Sequence, residues 1–145
     1  TYYQENAQGY LHELSNLDLW VDETLRDIQD ERRQLVTSHD ALGYFAKRYG
    51  FKVIGAVIPS ATTEAEDPSA EHIARLLNLV KSSGVKAIFA ENIHNAKLMK
   101  MLSKETGVVL APKLYTDALG QQKSEGETYI KMMRHNVLIF AEYLK

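Results

Sequence analysis

The chain has 145 residues, 45% of them hydrophobic, which is enough to bury the core of one domain. Its 17 basic and 19 acidic residues give a formal net charge of −2 without long runs of either sign, which argues against nucleic-acid and anionic-membrane partners. The lack of cysteine excludes disulfides, thiolate metal ligands and cysteine nucleophiles.

The sequence as it stands shows no targeting segment. No apolar run approaches the ~18 residues of a membrane-spanning helix, and the first residues do not resemble a secretory leader. Because the chain does not begin with Met, we expect it to have been processed or cut from a longer protein.

A long amphipathic helix is predicted at the start of the chain. Between residues 10 and 28, apolar side chains recur at spacings of three and four, with charged residues between them. We expect this helix to end in the charged stretch at residues 30–33. The apolar stripe consists of Tyr10, Leu14, Leu17, Val21, Leu25 and Ile28.

Strand-like and helix-like segments alternate after this helix. The predicted strands are residues 35–37, 53–58, 87–90 and 108–111, the last ended by Pro112, and the predicted helices are residues 40–49, 68–83, 95–106 and 124–144. An acidic loop is expected at residues 60–67. The strands are continuously apolar, which is typical of a parallel sheet buried on both faces. The pattern predicts a doubly wound α/β fold, with a four-stranded parallel sheet covered by helices on both faces.

Three side chains that suit metal binding follow predicted strands. His39 comes just after the first strand, Glu91 directly after the third, and Asp117 a short loop after the fourth. Because ligands collect beyond the carboxyl ends of parallel strands, we expect all three at one rim of the sheet. Imidazole and carboxylate suit zinc or manganese. Taken alone, His39 would more often be a capping or rim residue and Asp117 a turn residue.

The remaining candidates are weaker. Glu91 is expected to accept a hydrogen bond from a metal-bound histidine, with binding of loop amides as its alternative role. His12 and His72 are expected on solvated helix faces, His94 at a helix entry, and His135 as a packing or capping residue of the last helix.

Several segments together resemble one family. The segment TSHDALGYF at residues 37–45 resembles the third-ligand segment of the zinc and manganese solute-binding proteins that supply ABC-type metal importers. The segment YTDAL at residues 115–119, with Glu125, Gly126 and Tyr129 after it, is similar to that family's fourth-ligand loop and closing helix. The segment FAEN at residues 89–92 is similar as well. The resemblance implies His39 and Asp117 as two ligands of a metal in a cleft.

The chain departs from this family in one respect. Family members have two lobes joined by a long helix, and two further histidine ligands lie on an amino-terminal lobe that nothing here matches. The resemblance therefore implies a connector helix at residues 1–33 and a carboxyl-terminal metal-binding lobe at residues 34–145, without the amino-terminal lobe. It also implies an extracytoplasmic protein, periplasmic or membrane-anchored, that passes metal to an ABC permease. The imidazole of His39 favours Zn²⁺, with Mn²⁺ as the alternative.

Two structural expectations depend on the absent lobe. The side chains of His39 and Asp117 should point to solvent. The apolar stripe of the first helix should be uncovered, which would favour self-association of the chain.

Two other classes of protein remain as alternatives. A small α/β hydrolase-like enzyme could use His39 as general base and Asp117 as orienting group or nucleophile. The sequence has neither a Gly-x-Ser-x-Gly elbow nor a phosphate-binding glycine-rich loop, so we expect no enzyme. A response-regulator-like domain would need an acidic cluster after the first strand, where Asp40 is the one carboxylate.

Overall fold

The computed structural model describes residues 1–58, 68–93 and 96–145, so the predicted loop at residues 60–67 and His94 lie outside the described residues. None of the helices in these ranges has both the length and the hydropathy needed to cross a membrane. In chain order the elements are α1 (Tyr2–Leu25), a short 3-10 helix (Asp30–Arg32), β1 (Gln34–His39), α2 (Gly43–Tyr49), β2 (Lys52–Ile58), α3 (Ala70–Ser83), β3 (Ala87–Glu91), α4 (Lys97–Thr106), β4 (Val109–Leu114) and α5 (Tyr129–Tyr143).

The four strands form one parallel sheet in the order β2-β1-β3-β4, which confirms the predicted sheet. The chain first winds from β1 outward to β2, then crosses back to β3 and winds outward to β4 on the other side. The carboxyl ends of β1 and β3 therefore flank the point where the winding direction reverses. Open α/β sheets bind their ligands at this point. β1 ends at His39 and β3 at Glu91.

Helices cover both faces of the sheet, as predicted. Successive side chains of β3 alternate between two cores, because strand side chains point to opposite faces. Phe89 lies in the core shared with α1, α2 and α5, and Ile88 in the core shared with α3 and α4. On the first face, the ring of Phe140 lies 5.1 Å from that of Phe89 and 5.2 Å from that of Phe45, centroid to centroid.

The apolar stripe of α1 is covered within the chain. Leu17, Val21, Leu25 and Ile28 are all buried in the core that contains Phe89. The expectation of an uncovered stripe is therefore wrong from Leu17 onward, and so is the premise for self-association through it. The physical reason is that α1 packs along α5 and closes the same face of the sheet. The first half of the helix remains exposed.

Several predicted boundaries were wrong, and three of them have a clear physical reason. The first helix ends at Leu25 rather than near residue 30, because the chain turns there and buries Ile28. β4 continues through Pro112, since an edge strand tolerates a residue without an N–H. α5 begins at Tyr129, where the side chain of Thr128 accepts a hydrogen bond from the backbone N of Lys131. Residues 120–127 form a loop, so the predicted start of this helix at residue 124 was wrong.

Arg33 ties the carboxyl-terminal ends of α1 and α2 together. Its guanidinium donates to the backbone oxygens of Leu25 at 2.9 Å, Ile28 at 3.1 Å and Tyr49 at 2.7 Å. Carbonyl groups at a helix end have no partner within the helix, so one cation satisfies acceptors from two helices. This contact fixes α2, the helix that follows the His39 strand, against α1.

We predict that Arg33→Met lowers the free energy of unfolding by about 2–4 kcal/mol, because it leaves three carbonyl groups without their charged donor. Urea denaturation of both proteins measures the difference. The matched control is Arg26→Met on the exposed surface of the chain, which should change stability by less than about 0.5 kcal/mol. Equal effects of the two substitutions would show that the contact contributes nothing specific.

Candidate metal centre

The three predicted site residues lie together at one rim of the sheet. His39 Nε2 is 2.9 Å from Asp117 Oδ2, and His39 Nδ1 is 3.1 Å from Glu91 Oε2. The predicted placement at the carboxyl ends of the strands is confirmed. The imidazole therefore lies between two carboxyl groups, one on each ring nitrogen.

The expectation that both side chains point to solvent is wrong for His39. Its side chain and that of Glu91 have no exposed surface, whereas the side chain of Asp117 is 42% exposed. His39 is the last residue of a central strand, and Asp117 closes over its outer nitrogen. The imidazole is thus covered by this chain's own residues, and the carboxyl group of Asp117 is the solvent-facing part of the site.

Glu91 fixes the orientation of the imidazole. Its Oε2 accepts a hydrogen bond from the backbone N of His39 at 3.2 Å as well as from the ring Nδ1. The two roles considered for Glu91, orienting the histidine and binding a backbone amide, are thus combined in one oxygen. When Glu91 is ionised, Nδ1 carries the proton and Nε2 becomes the nitrogen available to a metal.

Protons are held tightly in this arrangement. Burial acts to lower the pKa of His39, but its hydrogen bonds with Glu91 and Asp117 outweigh burial and raise that pKa above the ordinary 6.5. Burial raises the pKa of Glu91 above 4.5, and the contact with His39 offsets this only in part. Both shifts favour a protonated site. A metal ion that binds His39 Nε2 must therefore compete with a proton at that nitrogen.

The spacing of these two groups suits a metal bound between them. Zinc bonds to nitrogen and oxygen are ~2.0–2.2 Å long, so two tetrahedral ligands lie about 3.3 Å apart. The observed separation of 2.9 Å is a few tenths of an ångström shorter, and the Asp117 carboxyl group must give up its direct contact with Nε2 to admit the ion. Glu91 lies on the opposite side of the imidazole and cannot share that metal. Within the described ranges, no group of three or more His, Cys, Asp or Glu side chains could hold a metal ion.

The other histidines have different surroundings. His12 is exposed on α1, as expected. His72 is half-buried and its Nε2 donates to the backbone oxygen of Ala56 at 2.9 Å, so the expectation of a solvated face was wrong because α3 packs on β2. His135 packs edge-on against Tyr115, which confirms the packing role.

Two asparagines beside the site were not among the predicted residues. Asn92 follows Glu91 directly, and Asn136 is buried on α5 with 4% of its surface exposed. Both bind the backbone of the loop that carries Asp117. The sequence did contain a signal for Asn136. A side-chain amide on the buried face of a helix needs hydrogen-bond partners, which indicates a supporting role.

A cavity of about 330 Å³ opens beside Asp117. Its lining is largely apolar and aromatic and includes Phe45, Tyr115, Tyr129 and Met132. Tyr44, also in the lining, is 93% exposed. The site thus borders an exposed surface with large side chains.

The sequence is similar to known metal-transport proteins. The family model of ZnuA, zinc-uptake complex component A periplasmic, matches residues 1–143. The manganese-binding lipoprotein MntA of Halalkalibacterium halodurans is 36% identical over 142 residues, covering 98% of this chain and 46% of that protein. The manganese ABC transporter substrate-binding lipoprotein PsaA of Streptococcus pneumoniae is 32% identical over 143 residues, covering 99% of this chain and 45% of that protein. The chain therefore spans about half the length of these curated relatives.

Solved structures share the fold. The periplasmic zinc binding protein TroA from Treponema pallidum superimposes with a TM-score of 0.90 at 31% identity, covering 98% of this chain and 52% of that chain. Another TroA structure, from work on its metal-binding specificity, gives a TM-score of 0.88 at 34% identity, covering 98% of this chain and 53% of that chain. The predicted fold class is confirmed at the level of the whole chain.

We predict that the affinity of this chain for Zn²⁺ decreases as the pH is lowered below the raised pKa of His39. The metal must displace a proton from Nε2, so the apparent affinity should drop by about tenfold per pH unit. Isothermal titration calorimetry between about pH 8 and about pH 5, in buffers with different ionisation enthalpies, measures both affinity and proton release. An affinity that stays constant through this range would contradict the displacement of a proton by the metal.

Proposed function

The chain belongs to the family of zinc-uptake complex component A proteins, and we propose that it captures a divalent transition metal for an ABC-type importer. The observation that carries this proposal is the pairing of His39 Nε2 with the Asp117 carboxyl group at the reversal point of the sheet. One nitrogen and one oxygen, 2.9 Å apart, form half of a four-coordinate site. Glu91 supplies the outer hydrogen bond that orients a metal-bound histidine.

Binding, rather than catalysis, fits these residues. MntA and PsaA are named as metal-binding and substrate-binding lipoproteins, not as hydrolases. In the hydrolase alternative, His39 would have to take a proton from a substrate, but both of its ring nitrogens already face carboxyl groups. A metal ion at Nε2 would leave the contact of Nδ1 with Glu91 in place.

The remaining ligands are proposed to come from a preceding lobe. This chain contributes two ligands, and its relatives are about twice as long. The exposed aromatic surface around Tyr44, next to Asp117, is in a position to face such a lobe. In this proposal residues 34–145 are the carboxyl-terminal lobe, residues 1–33 contain the connector helix, and the metal is held between the lobes. The whole protein is extracytoplasmic and delivers the metal to a membrane permease.

The preferred ion is proposed to be Zn²⁺. MntA and PsaA are named for manganese and one TroA for zinc, so the names of relatives leave the ion open. The donor atoms favour zinc, because imidazole suits zinc better and manganese prefers carboxylate and water. His39 is therefore the residue on which the choice of ion should depend.

We predict that this chain binds Zn²⁺ weakly and that binding depends on both ligands. A complete structural zinc site contributes roughly 10–16 kcal/mol, so half of its ligands should give a dissociation constant of about 10⁻⁴ to 10⁻⁶ M. His39→Ala and Asp117→Ala should each remove measurable binding in calorimetry. His12→Ala, an exposed histidine on α1, is the matched control and should bind as the unmodified chain does.

Each result that would contradict this prediction has a different meaning. Nanomolar binding by the unmodified chain would mean that a complete site exists within it. Equal loss in the His12 variant would point to nonspecific binding by histidine. Unchanged binding in both site variants would exclude His39 and Asp117 as ligands.

We also predict that His39→Glu shifts the preference of the chain from Zn²⁺ toward Mn²⁺. A carboxylate in place of the imidazole provides the harder oxygen donor that manganese prefers. The measured quantity is the ratio of the two dissociation constants, obtained by calorimetry with each ion at one pH. An unchanged ratio would show that the residue at position 39 does not set the preference.

A further inference from the structure

The loop after β4 carries the most exposed member of the site. Asp117 lies between the end of β4 at Leu114 and the start of α5 at Tyr129, and neither element contains it. A metal ligand must be held to within about 0.5 Å of its productive position, and loops do this less well than strands or helices. The backbone around Asp117 therefore needs external support.

Asn136 supports the loop before Asp117. Its side chain accepts a hydrogen bond from the backbone N of Tyr115 at 2.9 Å and donates one to the backbone oxygen of the same residue at 2.6 Å. One amide thus satisfies both polar groups of a residue just beyond the edge strand. The position of Asn136 is itself fixed, because its neighbours Val137 and Phe140 are completely buried.

Asn92 supports the loop on both sides of Asp117. Its Oδ1 accepts from the backbone N of Thr116 at 3.3 Å, and its Nδ2 donates to the backbone oxygen of Ala118 at 3.1 Å. Its own backbone N donates to the oxygen of Leu114 at 2.9 Å. The residues that flank Asp117 are therefore held by one side chain.

The position of Asn92 in the sequence connects the two halves of the site. It follows Glu91, whose carboxyl group orients the imidazole of His39. Two consecutive residues at the end of β3 thus place both groups. Glu91 orients the imidazole of His39, and Asn92 holds the loop that carries the carboxyl group of Asp117. Because β3 lies between β1 and β4 in the sheet, it is the strand that can reach both.

We propose that Asn92 and Asn136 are positioning residues for metal capture, which hold the Asp117 carboxyl group over His39 Nε2 before the metal arrives. This inference rests on the proposed function, in which Asp117 is a ligand. Outer groups that orient ligands typically change metal affinity by 10- to 100-fold when they are removed.

The far end of the loop has support of its own, so loss of Asn92 should displace the loop without unfolding it. The backbone N of Gly120 donates to the oxygen of Gly126 at 2.7 Å and closes the loop. A Cβ on Gly126 would lie 2.6 Å from the ring of Tyr115, so the loop packs directly on that ring. Asn92 is also half-buried rather than fully buried, which makes it the better position for a substitution.

The test compares Asn92→Ala with Asn136→Ala and Asn92→Asp in the full 145-residue chain. Each should lower the affinity for Zn²⁺ about 10- to 100-fold in calorimetry. The Asn92→Asp variant adds a negative charge near the site, and this charge by itself would strengthen cation binding. A weaker affinity of this variant must therefore come from loss of the hydrogen bond that Asn92 donates to the backbone oxygen of Ala118. Asn78→Ala, an exposed asparagine on α3, should leave the affinity unchanged. Val80→Ala, in the core of the opposite face, should lower the melting temperature without lowering the affinity.

A second measurement does not require metal. The ¹⁵N chemical shift of His39 Nε2 at fixed pH reports its contact with Asp117, and Asp117→Ala gives the reference value for a lost contact. Asn92→Ala should move this shift toward that reference, whereas Asn78→Ala and Val80→Ala should not. If Asn92→Ala keeps both the affinity and the shift of the unmodified chain, the positioning role is overturned.

This measurement also separates the two proposals. If the unmodified chain fails to bind Zn²⁺, the proposed function fails. The positioning of Asp117 by Asn92 is then decided by the chemical shift alone: a shift like that of Asp117→Ala supports it, and an unchanged shift overturns it.

Discussion

The hydrogen bond between His39 and Glu91 is the constraint on which the rest of the site depends. Both side chains are fully buried, and a buried polar group is costly unless it has a partner. The sheet order provides this partner, because β1 and β3 are neighbours and their carboxyl ends lie side by side. With Nδ1 committed to Glu91, the imidazole can turn only Nε2 toward the loop that carries Asp117. One contact thus decides which atom can meet a metal and from which direction.

The same core holds the site and the first helix together. The second half of α1 is buried with the sheet, and Arg33 joins its end to that of α2. The hydroxyl group of Tyr49 donates to Asp18 at 2.7 Å and adds a contact between the same two helices. Residues on the two sides of the boundary that we propose at residue 33 therefore pack in one core. The contacts of Arg33 and Tyr49 therefore link α1 to α2, the helix beside the candidate metal centre.

Apolar runs in the sequence predicted the strands well, because a strand buried on both faces must be apolar along its whole length. They also placed His39 and Glu91 at strand ends. Features that depend on distant residues could not be predicted in this way. The burial of His39 requires Glu91, 52 residues later in the sequence. The continuation of β4 through Pro112 depends on its edge position in the sheet, and the loop before α5 packs through Gly126 on the distant Tyr115.

A site that is divided between two halves has a physical advantage for a carrier. In the proposed function, this chain holds the metal by two ligand atoms, His39 Nε2 and Asp117 Oδ2, which already lie 2.9 Å apart before capture. The other ligands act as a second, linked binding unit. Their contribution to the affinity for the metal depends on their effective concentration near the two ligands of this chain. A modest separation of the halves then lowers the affinity steeply without breaking either half-site. Tight capture and rapid release can follow from one movement, provided that each half keeps its geometry. In this half, the buried contact with Glu91 holds the imidazole of His39, and hydrogen bonds from Asn92 and Asn136 hold the Asp117 loop.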